Sequence, residues 1–122
     1  MVYTSESLAL ATLELFVHVR LADAPDDLVA VAADIPDTVA VEEIVASGLP
    51  ADWRAYPAPE ALGALGTEWA RAGRTAVLLV PSAIVPVERN VLLNPAHPAF
   101  RSILVGRPER FAFDKRLGKR KA

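Results

Sequence analysis

Residues 77–80 read Val-Leu-Leu-Val and are followed at once by a proline. This apolar run is too short for a helix, and its branched side chains favour a buried strand. Pro81 has no N–H to donate to a neighbouring strand, so strand pairing should end there. Ser82 then stands at the end of the strand, where ligand-facing side chains are common in open α/β sheets. The pattern therefore predicts a polar position at the mouth of a buried strand.

The residues after Ser82 are typical of a binding cleft. Pro86 and Pro95 should hold the chain extended, while Asn90 and Asn94 bring amides into an otherwise apolar loop. Isolated polar groups among apolar residues are common in ligand pockets. Residues 78–95 are therefore the first candidate for a functional cleft.

The rest of the chain alternates predicted helices and strands. Thr4 or Ser5 is a candidate cap for a helix that runs to about Val19, and Pro59 begins a second helix that stops at Gly73. Further strands are predicted at residues 28–35, 39–45, 102–106 and 109–114. This order predicts an α/β (α+β) domain in which helices flank a mixed, twisted sheet.

Glu14 is conspicuous within the first predicted helix. That helix is apolar nearly all round, which is typical of a helix buried in a larger fold. An ionised carboxylate in such a helix must find partners or lose its charge. His18 lies one turn further on, so from periodicity alone the simplest interpretation is a Glu14–His18 pair at the surface. Two ligands alone do not make a metal site.

The composition indicates one globular domain. Of the 122 residues, 52% are apolar and 23% are charged, and none is cysteine. The absence of cysteine excludes disulfides and cysteine-ligated zinc. The sequence has no apolar run long enough for a transmembrane helix and no basic N-terminal region of the secretory type. A cytoplasmic protein is therefore expected.

The charge is unevenly distributed between two parts of the chain. Residues 1–114 carry a net charge of −7, whereas residues 115–122 contribute five positive charges. An acidic body argues against a nucleic-acid-binding surface, and a short basic tail is most simply solvated. The expected organisation is a domain at residues 1–114 followed by a basic tail at residues 115–122.

Common catalytic motifs are absent from the sequence. No GxSxG pattern surrounds Ser82, and neither a Walker loop nor a GxGxxG pattern occurs. A serine hydrolase that combines Ser82 with His18 or His97 is a weak alternative. The residues alone support an α/β domain with a polar cleft near Ser82.

Several segments, taken in order, resemble a known family. Val-Tyr-Thr-Ser-Glu-Ser begins at residue 2 and leads into the helical residues up to 18, and Val-Pro-Ser-Ala occupies residues 80–83. The other matching segments are residues 49–53 (Leu-Pro-Ala-Asp-Trp), 66–69 (Gly-Thr-Glu-Trp), 88–100 and 111–117. The match covers nearly the whole chain, and the combination resembles the RES domain family.

The resemblance implies a fold, an activity and a partner. RES proteins are toxins of bacterial type II toxin–antitoxin pairs, and their partner is an Xre-type antitoxin with a helix-turn-helix. Their fold resembles ADP-ribosyltransferase toxins. The implied substrate is NAD, which is cleaved at the nicotinamide–ribose bond by phosphorolysis or hydrolysis, or serves to transfer ADP-ribose to a protein. Together with the composition, this leads us to predict no metal, no permanently bound cofactor, no membrane and no direct nucleic-acid contact.

The family pattern also assigns residues to the site. Its tyrosine matches Tyr3, its glutamate Glu14 and its serine Ser82, while Asn90 matches a polar position beside the cleft. The resemblance makes Glu14 and Ser82 catalytic and adds Tyr3 and Asn90 to the NAD-binding set. Ser82 and Asn90 should form one side of the cleft, and Glu14 should face them from the N-terminal helix.

The sequence departs from the family pattern at its N-terminus. RES proteins carry a functional arginine in a segment before the tyrosine, but Met1 stands two residues before Tyr3, so no arginine here is assigned to the pyrophosphate. The resemblance therefore predicts a RES domain that lacks the N-terminal part of the fold. An exposed sheet edge in such a domain favours homo-oligomers. A catalytically inactive RES domain that only binds its antitoxin is the alternative function.

Overall fold

The main sheet has four strands in the computed structural model, which describes residues 1–118. From one edge to the other, the strands are β1 (Val2–Ser5), β6 (Arg89–Leu93), β5 (Val77–Pro81) and β4 (Val41–Glu43). Strand β6 is antiparallel to both β1 and β5, whereas β4 is parallel to β5. The predicted α/β (α+β) class with a mixed sheet is confirmed.

The core lies on both faces of the central strands β5 and β6. Successive side chains of a strand point to opposite faces, so the apolar runs at residues 77–80 and 91–93 supply both. Val77 and Leu93 pack on one face against Val39 and Ile103. Leu78 and Leu92 pack on the other face against Trp69, which is fully buried. This two-sided burial explains why the predicted strand at residues 77–80 lies at the centre of the sheet.

Helix α2 (Glu60–Ala72) supplies Trp69 to this core. The indole Nε1 donates a hydrogen bond to Thr75 Oγ1 at 3.0 Å, which satisfies its buried polar group. The helix ends at Gly73, where φ is +65°, a left-handed conformation that glycine adopts without steric cost. The predicted second helix and its end are confirmed.

Helix α1 (Leu8–Phe16) begins later and is shorter than predicted. Residues 2–5 form β1 rather than a helix cap, and Ser7 is the cap because its Oγ accepts the N–H of Leu10 at 3.1 Å. Leu10 is fully buried, but Leu8 is 57% exposed and Leu15 is 41% exposed. The prediction of an enclosed helix is therefore wrong, because α1 presents part of its apolar surface to solvent.

The remaining predicted strands are much shorter than expected. Residues 28–35 contain two strands with different partners, and β4 occupies only part of residues 39–45. Two antiparallel pairs form small sheets beside the main one: β2 (Val29–Ala30) with β8 (Glu109–Arg110), and β3 (Ala33–Asp34) with β7 (Leu104–Val105). Short 3-10 helices lie at Leu21–Asp23, Ala46–Gly48, Pro98–Ser102 and Lys115–Gly118. Residues 119–122 of the predicted basic tail lie outside the described residues.

Strand β8 occupies only the first two of the alternating residues 109–114, and the aromatic side chains beyond it pack against one another and against α1. Phe113 contacts Phe16 at the end of α1 in an edge-to-face arrangement, with ring centroids 5.6 Å apart. Phe111 packs against Phe113 in the same manner at 5.8 Å. This aromatic cluster joins the C-terminal segment to the end of α1.

The stretch predicted as a loop around Asn90 is strand β6. Val91, Leu92 and Leu93 are buried, and their burial on both faces of the sheet outweighs the asparagine at the second strand position. Asn90 therefore projects from a central strand rather than from a loop.

Within residues 1–118, the longest helices are too short or too polar to cross a membrane.

Candidate functional site

The Glu14 carboxylate lies against Ser82 and Asn90. Helix α1 carries Glu14, Ser82 follows the last residue of β5, and Asn90 is the second residue of β6. Ser82 Oγ and Asn90 Nδ2 each donate a hydrogen bond to Glu14 Oε2, both at 2.7 Å. The arrangement agrees with the expectation that Glu14 faces these two residues from the N-terminal helix.

Ser82 is held firmly from its own loop. Its side chain is completely buried, and its Oγ accepts the backbone N–H groups of Ile84 and Val85, both at 3.1 Å. Its own N–H donates to the carbonyl of Glu88 at 2.9 Å. Because a hydroxyl has two acceptor lone pairs and one proton, these contacts direct the proton of Ser82 towards Glu14. Pro81 is the last paired residue of β5, opposite Arg89, and the hydrogen bond between Ser82 and Glu88 closes the loop that follows.

Asn90 is held from the opposite side by Ser5. The two residues lie directly opposite each other in the β1–β6 pair, and Ser5 Oγ donates to Asn90 Oδ1 at 2.7 Å. The amide oxygen therefore faces Ser5, and the amide nitrogen faces the carboxylate. We call the four side chains of Ser5, Glu14, Ser82 and Asn90 the Glu14 network.

Only one oxygen of the Glu14 carboxylate is used by the protein. Oε2 accepts both hydrogen bonds, whereas Oε1 makes none within residues 1–118 and is not buried. The network therefore holds the carboxylate in one orientation and leaves Oε1 without a hydrogen-bond partner among the described residues. The interpretation of Glu14 as a surface partner of His18 is wrong, because Glu14 turns to Ser82 and Asn90 while His18 is exposed.

Tyr3 belongs to a different feature of the surface. It lies on the edge strand β1, is 71% exposed and lines an open cavity of about 730 Å³, which we call the Tyr3 cavity. This volume falls within the range of about 300–1,000 Å³ that is typical of small-molecule sites. Glu14, Ser82 and Asn90 do not line the cavity, but Ser5 does. Ser5 thus connects the cavity to the Glu14 network.

The opposite wall of the Tyr3 cavity comes from the small sheets. Residues 30–33, Gly106 and Arg107 line it, together with the acidic Glu6 and Glu109. Arg107 is the single cation among the described lining residues, so the cavity carries charge of both signs. The cavity can therefore accommodate a ligand with both apolar and charged parts.

Ion pairs hold the segment between β1 and α1 against the sheet. The Arg89 guanidinium lies 3.4 Å from Glu6 Oε2 and 3.3 Å from Glu43 Oε2, and the Arg89 N–H donates to Glu6 Oε1 at 2.9 Å. At the far edge of the sheet, the hydrogen bond from Arg74, together with its charge, lowers the pKa of Glu42. The contacts between Arg89 and Glu6 therefore hold the start of α1 close to Asn90, the residue after Arg89.

A serine hydrolase site does not form around Ser82. The Ser82 hydroxyl donates to a carboxylate, and neither histidine of the chain is among its hydrogen-bond partners. His97 Nδ1 instead accepts the N–H of Ala99 at 3.0 Å. A serine hydrolase requires a histidine base beside its serine and access to substrate, and the buried Ser82 has neither in this structure.

Sequence reasoning did not identify Ser5 as a member of the site. It was interpreted as a possible helix cap, because a strand at residues 2–5 was not expected. Its contact with Asn90 depends on the pairing of two strands that are more than 80 residues apart. The local pattern around Ser5 contains no signal for that register.

The fold and the network define a class of protein: a mixed-sheet domain that presents a helix-borne glutamate fixed by a serine and an asparagine. The model of the RES domain family matches residues 1–114, and the chain belongs to this family. The chain is 41% identical over 118 residues to the "Prs ADP-ribosylating toxin" of Sphingobium sp. strain YBL2. That match covers 95% of this chain and 73% of the relative.

Further relatives carry the name "Toxin Res". The protein from Yersinia enterocolitica is 37% identical over 117 residues, which cover 95% of this chain and 76% of the relative. The protein from Photorhabdus laumondii is 37% identical over 122 residues, which cover 98% of this chain and 77% of the relative. Similarity to these toxins therefore extends across almost all of the chain.

Proposed function

We propose that this chain is the toxin of a toxin–antitoxin pair and that it consumes NAD by cleaving the nicotinamide–ribose bond. The observation that carries the proposal is the Glu14 carboxylate, which is held by two hydrogen bonds to Oε2 and has no partner at Oε1 among residues 1–118. The names of the relatives support the class of function, since one is called an ADP-ribosylating toxin and two are called toxins.

The chemistry requires a fixed negative charge near the ribose. When the glycosidic bond breaks, its electron pair leaves with the nicotinamide nitrogen, and positive charge develops on the ribose, as in glycoside cleavage. Nicotinamide departs as a neutral molecule, and the anomeric carbon bonds to an acceptor that loses a proton. Glu14 stabilises the developing charge and binds a ribose hydroxyl through Oε1. Water, phosphate or a protein side chain is the acceptor, and the product identifies which.

The other proposed site residues have distinct roles. Tyr3 stacks on the nicotinamide ring from the exposed edge strand. Asn90 and Ser82 orient Glu14, because their side chains donate to it directly. A contact between Ser82 and the substrate, which the resemblance implies, stays a prediction, since the Ser82 hydroxyl already uses its proton and both lone pairs within the protein.

NAD consumption by the purified chain is the direct test. We expect the wild-type chain to release nicotinamide from NAD, and we expect Glu14→Gln to abolish release while leaving the fold intact. Glu68→Gln is the matched control, because Glu68 is an exposed helical glutamate outside the network. Growth arrest with unchanged cellular NAD on expression would contradict the proposed reaction.

The proposed partner is an Xre-type antitoxin with a helix-turn-helix. A toxin that depletes NAD must be held inactive by its partner in the cytoplasm, where both are made. We expect the chain to co-purify with a protein of this type that is encoded next to it. We also expect cells to resume growth when the two proteins are expressed together. A stable complex without any loss of NAD would instead support an inactive RES domain that only binds its antitoxin.

A further inference from the structure

Ser5 and Glu14 make no direct hydrogen bond, but Asn90 joins them in a continuous series of hydrogen bonds. Ser5 Oγ donates to Asn90 Oδ1 at 2.7 Å, and Asn90 Nδ2 donates to Glu14 Oε2 at 2.7 Å. Ser5 and Asn90 are both half-buried and lie opposite each other in the register of β1 and β6. This series of hydrogen bonds therefore runs from the edge strand β1, through Asn90 on β6, to the carboxylate on α1.

The direction of this series of hydrogen bonds follows from the chemistry of its members. An asparagine amide has a donor end and an acceptor end, and either end can occupy the same space. The Glu14 carboxylate oxygen accepts from Ser82 and needs a second donor beside it, so the amide nitrogen must face it. The amide oxygen then faces β1, where the hydroxyl of Ser5 donates to it. Without Ser5, the amide oxygen loses its only side-chain hydrogen bond among the described residues, and the amide is held at its nitrogen end alone.

We propose that Ser5 is a positioning residue for Glu14 and acts by fixing the orientation of the Asn90 amide. The proposal rests on the proposed function for its effect on NAD cleavage. Ser82 alone would hold Oε2 by one hydrogen bond, about which the carboxylate can rotate. The second bond, from Asn90, fixes that rotation and therefore the direction of Oε1. Loss of Ser5 should lower the rate of the chemical step and should have little effect on the affinity for NAD.

Thr4 provides a matched control for Ser5. It is the preceding residue of β1, and its Oγ1 donates to the Val91 carbonyl at 2.6 Å, so it also links β1 to β6 through a hydroxyl. Thr4 Oγ1 makes no hydrogen bond to the network, and Thr4 lines the Tyr3 cavity as Ser5 does, so a change in the cavity would alter KM in both variants. Thr4→Val and Ser5→Ala each remove one hydroxyl from the same strand, but only Ser5→Ala should change the orientation of Glu14.

Steady-state NAD cleavage separates positioning from general destabilisation. We expect Ser5→Ala to lower kcat by about 10-fold with little change in KM, since a misplaced reacting group slows the chemical step. Ser5→Thr keeps the hydroxyl and should restore most of kcat, and Thr4→Val should leave kcat within about 2-fold of wild type. Equal losses of kcat in Ser5→Ala and Thr4→Val would overturn the proposal, because they would indicate a structural effect of β1.

The side-chain amide of Asn90 offers a second measurement that does not depend on activity. In a ¹H–¹⁵N NMR spectrum, the Asn90 amide protons should shift on Glu14→Gln and on Ser5→Ala, but not on Thr4→Val. An unchanged Asn90 amide signal in Ser5→Ala would overturn the proposal even if the variant loses activity. If the wild-type chain does not cleave NAD, the proposed function fails, while the NMR result still decides whether Ser5 orients Asn90.

Discussion

The Glu14 network and the Tyr3 cavity meet at Ser5 but are built in opposite ways. The network joins side chains from β1, α1, β6 and the end of β5, and the hydroxyl and amide groups that face Glu14 are paired within the protein. The cavity lies between the sheet edge and two small sheets of two-residue strands. The Glu14 network is a fixed set of side chains on the central sheet, whereas the Tyr3 cavity is an open space bordered by short strands.

This difference indicates how the two regions should contribute to function. A paired, half-buried carboxylate holds its orientation before any ligand arrives, which favours a role in the chemical step. An exposed tyrosine beside an open cavity contributes contact area, which favours a role in binding. Substitutions in the network should therefore lower kcat, whereas substitutions in the cavity should raise KM.

Removal of the Glu14 carboxylate should have the largest effect on activity. We expect Glu14→Ala to reduce NAD cleavage at least about 100-fold, because the fixed charge that stabilises the ribose is lost. Nicotinamide release by the purified chain measures the rate, and thermal unfolding verifies that the variant folds. Retention of more than about a tenth of the wild-type rate would separate Glu14 from the chemistry, since so small a loss is below the expected range.

Ser82→Ala should affect both activity and stability. The substitution leaves the N–H groups of Ile84 and Val85 without their acceptor, and an unsatisfied buried polar group costs about 1–3 kcal/mol. It also removes one of the two donors to Glu14, so kcat should fall by about 10-fold. Urea denaturation and NAD cleavage measure the two effects. Ser102→Ala, at an exposed serine, should change neither quantity.

The network was predictable from the sequence only where one short segment carries the signal. The apolar run at residues 77–80 and Pro81 identified a buried strand that ends before Ser82. Glu14 was recognisable because a carboxylate within an apolar helix needs partners. Physical reasoning could not say which partners, since Ser82 and Asn90 lie 68 and 76 residues away in the sequence.

The cavity wall was not predictable, because its elements depend on tertiary context. Residues 28–35 have the pattern of one long strand, but β2 and β3 pair with strands near the C-terminus. The C-terminal segment that carries β8 is also joined to α1 by the contact of Phe113 with Phe16, which no local pattern indicates. Similarly, the sequence pattern around Asn90 predicted a loop. In the structure, Asn90 lies in β6, whose residues 91–93 are buried.

Tyr3→Ala tests the cavity side of the comparison. Loss of the ring should raise the KM for NAD by about 2- to 10-fold with little change in kcat, because an aromatic stacking contact contributes about 0.5–1.5 kcal/mol. Tyr3→Phe keeps the ring and should retain most of the affinity. A fall in kcat as large as that of Ser82→Ala would contradict the division between a binding cavity and a catalytic network.

Glu42→Gln should have the smallest effect and tests the far edge of the sheet. Arg74 lowers the pKa of Glu42 in the folded protein, so the ionised pair stabilises the fold above the ordinary glutamate value of 4.5. That contribution disappears as the pH falls through the lower folded pKa, because Glu42 then takes up a proton. The variant should therefore be slightly less stable than wild type at neutral pH and equal to it in strong acid. Urea denaturation at both pH values measures the difference, which is small because Arg74 is exposed and Glu42 is only half-buried. NAD cleavage should be unchanged, since neither residue touches the Glu14 network or lines the Tyr3 cavity. A loss of activity comparable to that of Ser5→Ala would mean that the whole sheet, rather than the network, sets the orientation of Glu14.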